Sequence, residues 1–230
     1  RFCPVREQPF VSVVVAARNE ERHLEGLLKS LLSQEYPDYE VVVVTDRSTD
    51  RTAEFVASFQ LRDPRLKRVD IEAVPADLLP KQNALTRGIE ASRGEILCLT
   101  DADCLPGPRW IASLASAFAP EVGMVGGYSP FSSSFLPPGR SRLYRMFDAF
   151  VRYEEYRKAL RSAGVALSGK AWACTGRNFA YRRAAYDAVG GYRGIPHSVS
   201  GDDTLMLQRM GMKTSWKYVY LLLEENFVPT

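Results

Sequence analysis

Two carboxylates one residue apart, Asp101 and Asp103, stand directly behind the apolar run Ile96-Leu97-Cys98-Leu99-Thr100. The run predicts a buried strand over residues 96–100, with Asp101-Ala102-Asp103 as its exit. Carboxylate oxygens are hard ligands suited to Mg²⁺ or Mn²⁺, and such ions usually share their shell with substrate phosphates. An Asp-x-Asp alone is weak, because about one is expected by chance in a chain of this length. Its company matters more. A second predicted strand, Val41-Val42-Val43-Val44, ends at Thr45-Asp46, and Asp202-Asp203 opens a predicted helix. Three acidic sites so placed point to an enzyme that handles a nucleotide diphosphate.

The elements that must hold these acids follow from apolar periodicity. Residues 11–17 read as a first buried strand, and Arg18-Asn19-Glu20-Glu21 as the opening of a helix. Leu24, Leu27, Leu28, Leu31 and Leu32 give that helix one apolar face, and Tyr36-Pro37-Asp38 stops it. Ser48-Thr49-Asp50 supplies cap residues for the next helix. Strands are expected at 66–71 and 122–127, and helices at 80–92 and from Gly107-Pro108 to Phe118. In the second half, a helix is expected at 141–162, a strand at 173–181 and a helix at 182–189. A helix at 202–210 should end at Gly211, with a last strand at 216–223. The alternation predicts an α/β fold with a mostly parallel central sheet and helices on both faces. Ligands of such sheets sit at the carboxyl ends of strands, where Asp46, Asp101 and Asp103 fall.

Composition narrows the class. A chain of 230 residues forms one large domain or two small ones. A net charge of +3, with scattered basic residues, excludes a nucleic-acid partner as an expectation. Cys3, Cys98, Cys104 and Cys174 form no CxxC pair and read as free thiols of a reducing compartment. No run approaches the roughly 18 apolar residues of a membrane span, and no signal peptide is visible. The chain opens on Arg1 rather than Met, so a fragment of a longer protein with membrane segments outside it is expected.

Val13-Val14-Val15-Ala16-Ala17-Arg18-Asn19-Glu20-Glu21, Thr45-Asp46-Arg47-Ser48-Thr49-Asp50, Lys81-Gln82-Asn83-Ala84-Leu85, Asp101-Ala102-Asp103, Gly176-Arg177-Asn178-Phe179-Ala180-Tyr181 and Gly201-Asp202-Asp203 together resemble a family-two glycosyltransferase. The resemblance implies the Rossmann-like type-A glycosyltransferase fold over one catalytic domain, residues 1–230. Residues of about 9–128 would bind the nucleotide sugar, and those of about 129–223 would bind the acceptor and carry the base. It implies an inverting transfer from a nucleotide diphosphate sugar, UDP-sugar ahead of GDP-sugar, to a hydroxyl of a glycan or lipid-linked acceptor. Asp46 matches the acid that recognises the nucleotide base, and Asp101 the acid near ribose and metal. Asp103 matches the ligand of the divalent ion, Mn²⁺ or Mg²⁺, that holds the diphosphate. Lys81 matches a basic position near the donor, and Ala17, Asn19, Glu20 and Ala102 fall in donor-binding motifs. Asp203 matches the general base, second of a pair with Asp202. The family's commoner motifs are Asp-Asp-Gly where this chain has Thr45-Asp46-Arg47, and Glu-Asp where it has Asp202-Asp203.

The competing classes are a nucleotidyltransferase that makes a nucleotide sugar, and a non-catalytic sugar-nucleotide binder. The first usually opens on a glycine-rich phosphate loop, which Ala16-Ala17-Arg18-Asn19-Glu20 lacks. Asn178 reads as a turn residue or an acceptor-side contact. Trp172, near Lys170, reads as a platform for an acceptor sugar or as a loop or core aromatic. His23 reads as a helix-surface residue and His197 as a loop residue. The basic, aromatic helix at 141–162 is expected to pack on the sheet as an ordinary amphipathic helix; the alternative is contact with anionic lipid headgroups. The expected setting is the cytoplasmic side, as the soluble part of a membrane-associated protein.

Overall fold

The computed structural model describes residues 8–75, 78–131, 141–193, 195 and 201–230. The strands are β1 (Val11–Ala17), β2 (Tyr39–Asp46), β3 (Leu66–Ile71), β4 (Ile96–Asp101), β5 (Val122–Gly127), β6 (Phe179–Arg182) and β7 (Lys217–Leu221). They form one sheet in the order β3-β2-β1-β4-β6-β5-β7. Every pairing is parallel except those of β6, which runs antiparallel to both β4 and β5.

The helices are α1 (Leu24–Leu32), α2 (Thr52–Gln60), α3 (Pro80–Ala91), α4 (Trp110–Ser116), α5 (Arg142–Leu167), α6 (Arg183–Ala188) and α7 (Asp202–Lys213). They cover both faces. Leu24, Leu27, Leu28 and Leu31 of α1 pack with Val56 of α2 and Trp110 and Ile111 of α4 on one side. Leu85 and Ile89 of α3, Tyr186 of α6 and Met206, Leu207 and Met210 of α7 pack on the other. Both faces of the central strands are therefore buried, which is why Val41-Val42-Val43-Val44 is continuously apolar rather than alternating. Each fully buried leucine of α1 contributes about 1.5–3 kcal/mol by leaving water.

Several predicted boundaries move, each for a tertiary reason. Arg18-Asn19-Glu20-Glu21 is not helical, because Asn19 adopts a left-handed φ of 57° and α1 starts only at Leu24. The predicted strand at 173–181 shortens to Phe179–Arg182, behind a 3₁₀ turn at Gly176–Asn178. Helix α7 runs through Gly211 to Lys213. Gly211 does not stop the helix; it lets it approach Ala171, whose Cβ would lie 2.6 Å from a side chain at that position.

Helix α5 departs furthest from expectation. It buries only Ala159, Ser162 and Ala166, all towards its C-terminal end. Leu143, Met146, Phe147 and Phe150 are 76, 69, 63 and 59 % exposed, so its first half is not packed on the sheet among the described residues. His197 and residues 132–140, between the predicted strand at 122–127 and the predicted helix at 141–162, lie outside the described residues.

Candidate active site

Register brings the acids together. Ala16 pairs with Asp101 across β1 and β4, and Ala17 with Thr45 across β1 and β2, so three strands end on one edge. A cavity of about 340 Å³ opens there, and Ala17, Glu20, Asp46, Lys81, Asp101, Ala102 and Asp103 all stand on its wall with Arg18. Asn19 does not. Its Oδ1 accepts from Thr49 N–H at 2.8 Å, and its own N–H donates to Ser48 Oγ at 3.2 Å. Glu20 N–H donates to Thr52 Oγ1 at 2.9 Å, and Arg51 N–H to Glu21 Oε2 at 3.1 Å. These bonds stitch the loop after β1 to the loop after β2, and Asn19 serves the cavity by holding its rim in shape.

Asp46 is almost fully buried, and its carboxylate is held by the neighbouring guanidinium. Arg47 Nε donates to Oδ1 at 2.8 Å and Nη2 to Oδ2 at 3.3 Å, a fork on a fork. Arg47 reaches back in this way because its φ is 47°, in the left-handed region where the family's commoner motif has glycine. The substitution therefore keeps the backbone turn and sets a cation against Asp46, which stands on the cavity wall.

The cavity joins the downstream acids through Lys81, on the first turn of α3. Lys81 Nζ lies 2.8 Å from Asp101 Oδ1. Burial lowers its pKa, but the carboxylates of Asp101, Asp203 and Asp202 outweigh burial and raise it, so this lysine stays charged. Asp202 and Asp203 open α7 behind Gly201, whose φ of 90° sets the entry angle. The Asp203 pKa is pushed up to about 6, first by desolvation and then by Asp202 and Asp101, against Lys81 and a hydrogen bond from Gly176 N–H. Among the described residues, Asp203 Oδ1 is buried with no hydrogen-bond partner. A carboxylate half-neutralised by one lysine, with one oxygen unspent, suits accepting a proton. Gly176 was visible in the Gly176-Arg177-Asn178 motif, but its role was not. A Cβ there would collide with both oxygens of Asp203.

Asp101 and Asp103 offer hard oxygen donors that fit a divalent ion. Among the described residues no third His, Cys, Asp or Glu completes a cage, so an ion held by this pair would keep positions open for phosphate oxygens and water.

A second cavity, of about 310 Å³, lies between α5 and the segment leading into β6, and Trp172, Thr175 and Arg177 line it. Trp172 is 41 % exposed there, with the Arg161 guanidinium 5.1 Å above its ring. Asn178 lies elsewhere and is fully buried. Its Oδ1 accepts from Trp110 Nε1 at 2.9 Å, while its Nδ2 donates to Tyr128 O at 3.0 Å and Asn226 O at 2.6 Å. These bonds tie α4, the end of β5 and the C-terminal segment together, which is a structural role rather than an acceptor contact. Asn178→Ala is expected to destabilise the fold by roughly 2–4 kcal/mol, because it strands the Trp110 and Tyr128 partners. Urea denaturation checks this; a change below about 1 kcal/mol would contradict it.

The sequence matches the Glycosyl transferase family 2 profile over residues 12–190. It is 29 % identical over 204 residues to the glycosyltransferase AglE of Haloferax volcanii, covering 87 % of this chain and 61 % of that protein. It is 38 % identical over 120 residues to the beta-monoglucosyldiacylglycerol synthase of a Nostoc species, covering 51 % and 25 %. The fold is similar to that of the mannosyltransferase PcManGT from Pyrobaculum calidifontis, solved with GDP-Man and Mn²⁺, with a TM-score of 0.74 at 22 % identity over 98 % of this chain and 57 % of that one. The chain thus spans about three fifths of the length of AglE and of PcManGT. With its strand-end acids on a type-A glycosyltransferase fold, this chain belongs to glycosyl transferase family 2.

Proposed function

We propose that this domain transfers a sugar from a UDP-sugar to an acceptor hydroxyl with inversion. The observation that carries the reading is the convergence of Asp203 with Lys81 and Asp101. A poised base meets the acidic strand ends from a distant part of the chain. The acceptor oxygen attacks the anomeric carbon as its proton passes to an Asp203 carboxylate oxygen. The bond from that carbon to the diphosphate oxygen breaks, and its electron pair leaves on the diphosphate. A single displacement of this kind inverts the centre and needs no covalent sugar intermediate. Asp202, buried beside the base, raises its proton affinity, and Lys81 keeps Asp203 and Asp101 together without full neutralisation. A divalent ion, Mn²⁺ or Mg²⁺, held by Asp103 and Asp101 would neutralise charge on the departing diphosphate.

The reading divides the domain at the end of β5, with the donor half before it and the acceptor half after it. Asp46 accepts from the base's ring N–H, and the Arg47 fork on the same carboxylate holds it in place. Glu20, Ala17 and Ala102 shape the donor wall. The names of the similar proteins support a cell-envelope or glycolipid product. The face of α5 supports a membrane-associated parent. Exposed Leu143, Met146, Phe147 and Phe150 follow one helical stripe, flanked by Arg142, Arg145 and Arg152.

Calorimetric titration of UDP and GDP, each with and without Mn²⁺, tests the donor. UDP is expected to bind more tightly than GDP, and only with metal. Failure of both nucleotides to bind in the presence of metal would sink the reading.

A further inference from the structure

The cavity beside the base has an electrostatic character that the donor chemistry does not use. It is walled by the C-terminal half of α5, by Ser129 after β5 and by the segment before the Gly176 turn. Of its cations, Lys158 is paired with Glu155 at 2.7 Å. Arg161 and Arg177 have no carboxylate within ion-pair distance among the described residues. Each instead rests on an aromatic ring, Arg161 over Trp172 and Arg177 over Phe131, both at 5.1 Å. Arg177 also donates to Thr230 Oγ1 at 3.1 Å. Ser129, only 2 % exposed, buries its hydroxyl in the same wall without a hydrogen-bond partner among the described residues. Arg177 immediately follows Gly176, whose N–H reaches Asp203, so this group of donors adjoins the base.

Two guanidiniums without carboxylate partners and an unused hydroxyl suit a tetrahedral oxyanion, and the rings hold the guanidinium planes in place for it. We propose that this cavity binds a phosphate group on the acceptor, so that the acceptor is a phosphate-bearing molecule whose hydroxyl is presented to Asp203. The inference rests on the transferase reading above and adds the acceptor's chemical class to it.

The test is calorimetric titration of three probes into the protein, with UDP and Mn²⁺ first saturating the other cavity. Glycerol 3-phosphate carries the phosphate alone, dihexanoyl phosphatidic acid carries it on a lipid, and octyl glucoside is a neutral amphiphile. Binding of either phosphate probe, with octyl glucoside at least about tenfold weaker, is expected. If phosphatidic acid binds more tightly than glycerol 3-phosphate, the source is a lipid; similar affinities indicate a soluble ester. Arg161→Gln, on the surface of α5, is expected to weaken the phosphate probes by about tenfold and to leave UDP affinity unchanged. Arg177→Lys, which keeps charge but loses the fork, is expected to weaken them less. Equal binding of octyl glucoside, no binding of either phosphate probe, or phosphate binding untouched by Arg161→Gln would each overturn the proposal. The UDP titration judges the donor reading separately, because loss of nucleotide binding would appear in its own step.

Discussion

Asp203→Asn is expected to slow sugar transfer by roughly 10²–10⁴-fold while UDP affinity in the presence of metal stays within about twofold. An amide keeps the shape beside Gly176 and removes the group that takes the proton. Steady-state kinetics beside calorimetry separate the two effects. Transfer retained within about tenfold would remove Asp203 as the base. The same residue sets the pH response. Its pKa is raised from 3.8 to about 6, chiefly by desolvation, so the competent, ionised form is lost as pH falls through about 6. Wild-type kcat/KM should fall below that pH, and the residual rate of the variant should not follow the same curve.

Stability moves the other way. The fold favours protonated Asp203, so the group's stabilising contribution is full below pH 3.8 and is lost as pH rises through about 6. At pH 8 the ionised carboxylate costs on the order of 1–3 kcal/mol, and Asp203→Asn should recover part of it. At pH 4 the variant should gain little. Urea denaturation at the two values measures the difference. An equal effect at both would mean that the carboxylate's environment does not set its titration.

Asp103→Ala should remove the metal-dependent part of UDP binding, a loss of roughly 100-fold or more, since even outer-shell changes at metal sites cost 10–100-fold. Asp103 is exposed, so stability should change by less than about 0.5 kcal/mol, and a binding defect would not reflect unfolding. Chelation with EDTA should bring wild-type affinity down to that of the variant. An Asp103→Ala protein whose UDP affinity still rises with Mn²⁺ would move the ion away from this strand end.

Much of the donor half is legible in the residues. Val11–Ala17 and Val122–Gly127 coincide with their predicted strands, because strands buried on both faces are apolar along nearly their whole length, and Leu66–Ile71 coincides as an edge strand that buries Leu66 and Ile71 and exposes Lys67 and Asp70. The leucine spacing of α1 gave its buried face correctly but not its start. The left-handed Asn19 and its bonds to Ser48 and Thr49 join residues about thirty apart in the chain, and periodicity does not register such bonds. Asn178 is the same lesson in reverse. A polar residue in a glycine-containing stretch reads as a turn residue or an acceptor-side contact, and only the fold shows that Trp110, Tyr128 and Asn226 surround it within its turn.

Local pattern alone thus places acids at the ends of apolar strands and at the start of a helix, since burial and turn chemistry act over a few residues. Which acids meet is another matter. Lys81 stands between Asp101 and Asp203, Gly176 clears room for a carboxylate, and Arg47 folds back on Asp46. The first two depend on β6 entering antiparallel between β4 and β5 and carrying the Gly176 turn to the head of α7. Pairing across such separations is chosen by the packing of the whole sheet. The pKa of Asp203 follows from that packing, because desolvation and neighbouring charge belong to the assembled site rather than to the residue.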